Sequence, residues 1–187
     1  MSYFPAFINF ENKKILIVGA GKIAFSKLTH LLEFSSNITV LSNDFNTEIE
    51  NTIKENNLEA LKKNYDSSDL AGYDIVIAAL DNIEIQKLIY EDSRKQNCLC
   101  NCVDLPKLCD FIFPAYIKKG DLTIAISTNG SSPAASKQLR IYLEKLIPNS
   151  ITNFLEEMKE YRNTMPKGIE RMKFLEEKAK SYFSSLK

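Results

Sequence analysis

A glycine-rich turn close to the start of the chain has the residue types needed to bind a phosphate. Residues 18–24 read VGAGKIA, which fits the pattern G-x-G-x-x-G/A with Ala24 in the last place. In such a turn Gly19 would let the chain leave a strand sharply, and Gly21 would let the backbone approach a pyrophosphate. Because the turn separates an apolar run from a helical pattern, we predict a dinucleotide-binding site, with a purely structural tight turn as the alternative. The predicted contacts are Gly19, Ala20, Gly21, Lys22, Ile23 and Ala24.

The next predicted strand ends in Leu41-Ser42-Asn43-Asp44, where the ribose of a dinucleotide would bind. Ser42 and Asn43 stand at the place for the ribose hydroxyls, and Asp44 lies slightly beyond it. This strand end has no arginine to hold a 2′-phosphate, so NAD is favoured over NADP. Asp44 is also interpreted as a helix cap or a solvated loop carboxylate, and these interpretations stay open.

Two aspartates lie in the apolar stretch 101–114, which reads NCVDLPKLCDFIFP. A carboxylate beside Phe, Ile and Pro is costly unless it is paired, exposed or used. Asp104 follows a predicted parallel strand, at the strand end where open α/β sheets bind ligands, so it is a candidate proton acceptor. Capping of the turn at Pro106 is its alternative role. For Asp110 we expect a turn or salt-bridge role rather than catalysis.

The elements that would position these residues alternate through the first half of the chain. The predicted strands lie within KKILIV, NITVLSND, LEALKKNY, YDIVIAALDN and CLCNCVD. Strands that are apolar on both faces and alternate with helices indicate a parallel sheet covered on both sides. Right-handed crossovers then favour an α/β fold with a Rossmann-like, doubly wound parallel sheet.

The pattern changes after the last of these strands. Residues 111–130 predict two strands joined by a turn at 118–121, followed by a helix with Ser132 as its N-cap and Pro133 in its first position. Residues 150–187 are charged and helical, and their apolar stripe is typical of a packing surface.

Composition excludes several classes of protein. Acidic and basic residues balance at 24 each, which argues against nucleic-acid binding and against a polybasic membrane surface. The sequence has no apolar run of the roughly 18–20 residues that cross a bilayer. Its N-terminus lacks the features of a signal peptide, so a cytoplasmic protein is expected.

The cysteines and the single histidine are interpreted as structural. Cys98, Cys100 and Cys102 alternate along one predicted strand, so we predict small buried thiols there, with a metal site as the alternative. Cysteines bunched in this way fit reduced thiols better than a disulfide framework. His30 lies on the first predicted helix, away from the strand ends, and a packing or surface role is predicted. No metal ligands are assigned.

Several segments occur in an order that resembles the precorrin-2 dehydrogenase family. They are the glycine turn, AALDN at 78–82, NCVDLPKLCDFIFPA at 101–115 and LTIAISTNGSSPAASKQLR at 122–140. The resemblance covers about residues 4–145, and its last two segments are much more specific than the glycine turn.

The resemblance implies an NAD-binding Rossmann domain at 1–110, a dimerisation region at 111–149 and a small helical domain at 150–187. It implies an NAD-dependent oxidoreductase that converts precorrin-2 to sirohydrochlorin in sirohaem or cobalamin biosynthesis, as a cytoplasmic homodimer. Iron insertion into the product, which some family members also perform, is left open because the chain lacks the fused methyltransferase of bifunctional relatives.

The resemblance also assigns site residues. Asp104 matches the aspartate tied to catalysis, and Leu80 and Asp81 match positions beside the cofactor. Where family members often have Thr-Asp-Asp, this chain has Leu80-Asp81-Asn82. The lost carboxylate leaves an alternative function, an NAD- or tetrapyrrole-binding regulatory protein without turnover. The expected substrate contacts are Thr128, Asn129, Gly130, Ser131 and Lys137, with Lys107, Lys118, Lys119 and Arg140 as further candidate cations for the substrate carboxylates.

Overall fold

The computed structural model describes residues 3–186, which form two compact units. Residues 3–112 make up the N-terminal unit, and residues 113–186 make up the C-terminal unit. The predicted separation of a dimerisation region from a helical domain stays a prediction.

The N-terminal unit contains a five-stranded parallel sheet with the strand order β3-β2-β1-β4-β5. Its strands are β1 (Ile15–Val18), β2 (Ile38–Ser42), β3 (Glu59–Lys62), β4 (Ile75–Ala78) and β5 (Leu99–Cys102). All residues of β1 and β4 are buried, as expected for central strands of a parallel sheet. The chain order reverses between β1 and β4, so this is the predicted doubly wound sheet, and ligands bind such sheets at that reversal.

Three helices connect the strands: α1 (Lys22–Leu32), α2 (Thr47–Glu55) and α3 (Ile83–Gln96). Asparagines cap two of them. The Asn46 side chain accepts a hydrogen bond from Ile49 N (2.8 Å), at the start of α2. Short 3₁₀ turns lie at Ser67–Leu70 and Pro106–Leu108. His30 lies on the exposed face of α1, which confirms its predicted surface position.

The outer edge of β5 is held by Asp110. The Cys100 amide donates to Asp110 Oδ2 (2.8 Å), and the Asp110 amide donates to Cys100 O (2.8 Å). The two terminal nitrogens of the Arg94 guanidinium also donate to this carboxylate, Nη1 to Oδ1 (2.9 Å) and Nη2 to Oδ2. An antiparallel bridge between Asn101 and Cys109 continues the pairing. Asp110 therefore has the predicted salt-bridge role, and it protects a strand edge that would otherwise expose its backbone.

The cysteines in β5 and directly before it belong to the core, as predicted. Cys98, Cys100 and Cys102 are all buried, and the sulfurs of Cys100 and Cys102 lie 3.6 Å apart. Burial raises the pKa of the Cys98 thiol to about 12. The hydrogen bond with Cys102, followed by burial, raises the pKa of Cys100. These thiols are thus packing groups of the apolar layer between the sheet and α3.

The C-terminal unit begins with the predicted hairpin, β6 (Ala115–Lys119) and β7 (Leu122–Ile126). Three helices follow: α4 (Pro133–Leu146), α5 (Ile151–Thr164) and α6 (Ile169–Ser184). Ser132 caps α4 as predicted, since its hydroxyl accepts from Ala135 N (3.2 Å). The predicted stripe packs α5 on α6, with the Phe154 and Tyr182 rings stacked at 4.1 Å. No helix within residues 3–186 is both long and apolar enough to cross a membrane.

We predict that Asp110→Ala lowers the free energy of unfolding by about 1–3 kcal/mol, because it leaves the Cys100 amide and Arg94 without their shared acceptor. Urea unfolding measures the change. Asp44→Ala is the control in the same unit, since Asp44 is almost fully exposed and its ion pair with Lys62 is long (3.9 Å). An equal decrease in the free energy of unfolding for the two variants would contradict the role of Asp110 in holding the edge of β5.

We also predict that Gly120→Ala destabilises the C-terminal unit by about 1–2 kcal/mol or more. Gly120 has φ +55°, and an added Cβ would lie 2.7 Å from Thr152 Cγ2. Thr152→Ser removes that methyl group, so the double variant should recover the steric part of the loss and keep the backbone part. Thermal unfolding of the four proteins tests this, and additive effects would show that the contact is not the cause.

Candidate functional site

A cleft of about 690 Å³ lies at the carboxyl ends of the parallel strands in the N-terminal unit. It is lined by residues 19–23 of the glycine turn, Ser42 at the end of β2, residues 79–81 after β4 and residues 103–105 after β5, together with Ile83 and Gln86 of α3. The cleft thus brings together most of the predicted cofactor contacts and Asp104. Ala24, Asn43 and Asp44 do not line it.

Gly19 closes the bottom of the cleft by a contact that excludes any side chain. Its φ is +115°, and an added Cβ would lie 2.1 Å from Ala79 O. Backbone hydrogen bonds fix this approach, from Gly19 N to Leu41 O (2.8 Å) and from Ala79 N to Val18 O (2.8 Å). The predicted tight turn is therefore present, and its glycine is required by the neighbouring strand end as well as by the turn.

Gly21 faces open space instead. An added Cβ there would meet no atom within 4 Å. Gly21 is also the N-cap of α1, and no side chain caps this helix start. The first N–H groups of α1 are therefore available to an anion, and Ala24 is fully buried where the helix packs on the sheet. These features fit a bound pyrophosphate.

The three ribose contacts predicted at the end of β2, Ser42, Asn43 and Asp44, do not all lie in the cleft. Ser42 lines the cleft. The Asp44 carboxylate is 96% exposed and lies 3.9 Å from Lys62 Nζ. Asp44 is not the cap of α2, because Asn46 has that position. Of its interpretations, the helix cap is wrong, and a solvated carboxylate agrees with its exposure.

Asn82 has a structural role at the start of α3. Its Oδ1 accepts hydrogen bonds from Glu84 N (3.0 Å) and Ile85 N (3.1 Å). Aspartate is an equally good N-cap, so the departure from Thr-Asp-Asp keeps the geometry of this helix start. Asp81, which precedes the cap, is exposed and lines the cleft.

Asp104 lies just after β5 with an unusual backbone. Its φ is +64°, in the left-handed region that only Gly, Asn, Asp and His enter readily. The pairing with β4 continues to Val103, whose amide donates to Ala78 O (3.0 Å), and the chain then turns sharply. Leu105 N donates to Cys102 O (3.2 Å), so this turn is closed by backbone groups. The exposed Asp104 carboxylate lies at the rim of the cleft.

Two further residues of this region, Lys27 and Gln86, were not predicted from sequence. Lys27 is half-buried on α1, and burial lowers the pKa of its ammonium group, while the charge of Asp104 acts in the opposite direction. Gln86 is buried on α3 and lines the cleft. The sequence signal that could have found them is helical spacing. Lys27 lies next to Leu28 and Gln86 lies near Ile89, so each is a polar residue beside the apolar stripe of its helix.

The predicted substrate contacts lie in the C-terminal unit, where Thr128 is used by its own loop. Its hydroxyl accepts from Ser132 N (3.1 Å) and lies 3.0 Å from Ser136 Oγ. Asn129 and Gly130 both have positive φ, which turns the chain sharply at the tip of the loop. Asn129, Gly130, Ser131 and Lys137 are all exposed.

Two of the candidate cations have partners within this unit. Lys119 Nζ donates to Ile147 O (2.6 Å), Glu144 O (3.3 Å) and Asn149 Oδ1 (3.2 Å), so it caps the C-terminal end of α4. Arg140 pairs with Glu144 at 2.6 Å. Their contacts stabilise α4, which differs from the substrate role considered for them.

Two family models match the chain. The model described as "putative NAD(P)-binding" covers residues 6–115. The model described as "sirohaem biosynthesis protein central" covers residues 119–146.

The chain is also similar to curated proteins. It is 34% identical to siroheme synthase of Psychrobacter arcticus over 90% of this chain and 31% of that protein. It is 29% identical to siroheme synthase of Buchnera aphidicola over 98% of this chain and 40% of that protein. The chain therefore spans well under half the length of these relatives.

Among solved structures, one described as "SirC, precorrin-2 dehydrogenase" matches with a TM-score of 0.79 and 21% identity, over 94% of this chain and 88% of that one. This match shows that the two share a fold. Since the first family model covers more than half of the 187 residues, the chain belongs to the family described as putative NAD(P)-binding.

Proposed function

We propose that this chain is an NAD-dependent dehydrogenase that oxidises precorrin-2 to sirohydrochlorin. The observation that carries the proposal is the cleft, where an open phosphate-binding turn and an exposed carboxylate line the same space. The similarity of the chain to siroheme synthases supports a tetrapyrrole substrate. A homodimer in the cytoplasm belongs to the same proposal.

The residues of the cleft fit NAD. The uncapped start of α1 would hold the pyrophosphate, and Gly21 leaves room for it. Ser42 would bond a ribose hydroxyl of the adenosine half, with Asn43 next to it. The nearby Asp44 carboxylate would repel a 2′-phosphate, which favours NAD over NADP. The oxidation transfers a hydride to NAD, which is the chemistry that the cofactor supplies when bound.

Asp104 would accept the proton that the substrate loses with the hydride. Its carboxylate is exposed at the rim of the cleft, and its left-handed backbone holds it beyond the end of β5. Lys27 lies near enough for the charge of Asp104 to act on its ammonium group, so Lys27 is a positive group close to this carboxylate. An accessible carboxylate is what a general base requires.

The substrate carboxylates need cations and N–H donors. Lys137 and the loop residues Thr128, Asn129, Gly130 and Ser131 are proposed for this role. Since the Thr128 hydroxyl and the amides of Asn129 and Ser131 are all bonded within this loop, the exposed Lys137 would carry most of the binding.

The alternative of a regulatory protein without turnover rested on the carboxylate that is lost at Asn82. Since Asn82 caps α3 as an aspartate would, this substitution does not by itself favour the alternative. Iron insertion into the product stays a prediction. Among residues 3–186, no group of three or more His, Cys, Asp or Glu side chains is placed to hold a metal ion.

The dinucleotide site is tested by Gly21→Ala. No atom lies near the added methyl group, so stability should fall by no more than about 1 kcal/mol, while affinity for NADH should fall at least about tenfold. Gly19→Ala is the contrasting variant, because it must displace Ala79 and should lose stability first. Calorimetric titration with NADH and urea unfolding give the two readouts. Unchanged NADH binding in folded Gly21→Ala would contradict the site.

The catalytic carboxylate is tested by Asp104→Asn, in which Asn tolerates the positive φ of this position. Anaerobic NADH formation from precorrin-2 should slow by roughly 10²–10⁴-fold, with NAD binding retained. Asp121→Asn, an exposed aspartate paired with Lys159, is the control and should keep full activity. Full turnover by Asp104→Asn would remove Asp104 from the chemistry, and no turnover by wild-type protein that binds NAD would favour the regulatory alternative.

A further inference from the structure

One buried polar atom in the cleft wall has no partner. Gln86 is 5% exposed, and its Nε2 donates to Leu80 O at 2.7 Å. This bond settles which end of the amide is the nitrogen, because a carbonyl can only accept. Within residues 3–186, the buried side-chain nitrogen or oxygen that lacks a hydrogen-bond partner is Gln86 Oε1.

The unpartnered Gln86 Oε1 is informative because other buried polar side chains of the N-terminal unit have hydrogen-bond partners. Asn101 donates to Phe111 O (2.8 Å), and the Ser93 hydroxyl donates to Tyr90 O (2.6 Å). A buried acceptor without a donor costs free energy, so native proteins seldom keep one without a function. Packing does not require Oε1, since an apolar side chain of similar length would fill the same space.

The position of Gln86 indicates the source of the missing donor. Gln86 lines the cleft together with Leu80 and Asp81, which follow β4. A doubly wound sheet binds a dinucleotide across the reversal of strand order, with the pyrophosphate at the start of α1. Ser42 lies on the β2 side, with the adenosine half. Gln86 lies on the β4–β5 side, with the other half.

We propose that Gln86 positions the nicotinamide half of the dinucleotide, with Oε1 accepting a hydrogen bond from a donor on that half. The inference rests on the proposed function and adds a positioning residue to it. The bond from Nε2 to Leu80 O fixes the amide plane, so the acceptor is held in place before the cofactor binds.

The test compares NADH with ADP, which lacks the nicotinamide and its ribose. Gln86→Met keeps the length of the side chain and removes both the acceptor and the donor to Leu80 O, so the dissociation constant for NADH should rise about fivefold to tenfold. The constant for ADP should change by less than about twofold, because ADP binds only on the α1 and β2 side. Calorimetric titration measures both without requiring turnover.

Ser93→Ala is the matched control, a buried polar residue of α3 that does not line the cleft. It should lower stability and leave the ratio of NADH to ADP affinity unchanged. Gln86→Asn is the second variant if Gln86→Met does not fold, since its shorter amide cannot keep the bond to Leu80 O and still present Oε1 at the same place.

The outcomes separate the inference from the proposed function. Selective loss of NADH affinity in the Gln86 variant supports the inference. Equal loss for NADH and ADP, or no loss, overturns it, and the latter would assign a bound water as the donor. Wild-type protein that does not bind NADH overturns the proposed function together with the inference.

Discussion

The contact between Gly19 and the end of β4 is the constraint on which the cleft depends. With Ala79 O only 2.1 Å from where a Cβ would lie, the backbone of the turn and the backbone after β4 touch directly. This closeness lets β4 and α3 form one wall of the cleft while α1 begins at the other. Any side chain at Gly19 would push these walls apart, so binding and folding share one steric requirement at this residue. The requirements of binding and of folding differ at Gly21, two residues later, because an added Cβ there would meet no atom within 4 Å.

The two aspartates that end the sheet have opposite roles because their surroundings differ. Asp110 is bonded by Arg94 and by the Cys100 amide, so every oxygen of its carboxylate is used to hold the edge of β5. Asp104, six residues earlier, is exposed and has its turn closed by backbone groups. The bonds of Asp110 anchor the chain to the edge of β5 just after the turn at Asp104, whose φ is positive. A structural carboxylate therefore lies shortly after one that is exposed at the cleft.

Much of this architecture follows from short-range patterns. Alternating apolar runs predict the parallel sheet, and the cap at Ser132 and the hairpin depend on neighbouring residues alone. The turn at Gly19 is recognised from its local motif, although its glycine is also required by the distant Ala79. Lys119 shows where such reasoning ends. Its carbonyl partners lie about 25 residues further along the chain, so only the folded unit identifies it as a helix cap rather than a substrate cation. Asp44 and Asn46 show the same limit at short range, because either polar residue is a plausible cap of α2 until the first turn of the helix is placed.

Lys27 and Gln86 escaped prediction for a related reason. Helical spacing places both beside apolar stripes, and a polar residue there is ordinarily a boundary residue with its polar end in solvent. What distinguishes them is a neighbour from another part of the chain: Asp104 for Lys27, and Leu80 O for Gln86. The cleft is thus built in two layers. Backbone geometry at the glycine turn can be recognised in sequence, whereas the side chains that orient a ligand act through contacts that exist only once α1, α3 and the strand ends are assembled. If Gln86 orients the nicotinamide half as proposed, selectivity among dinucleotides would come from such side chains, because the backbone of a glycine turn can bind the phosphates of any of them.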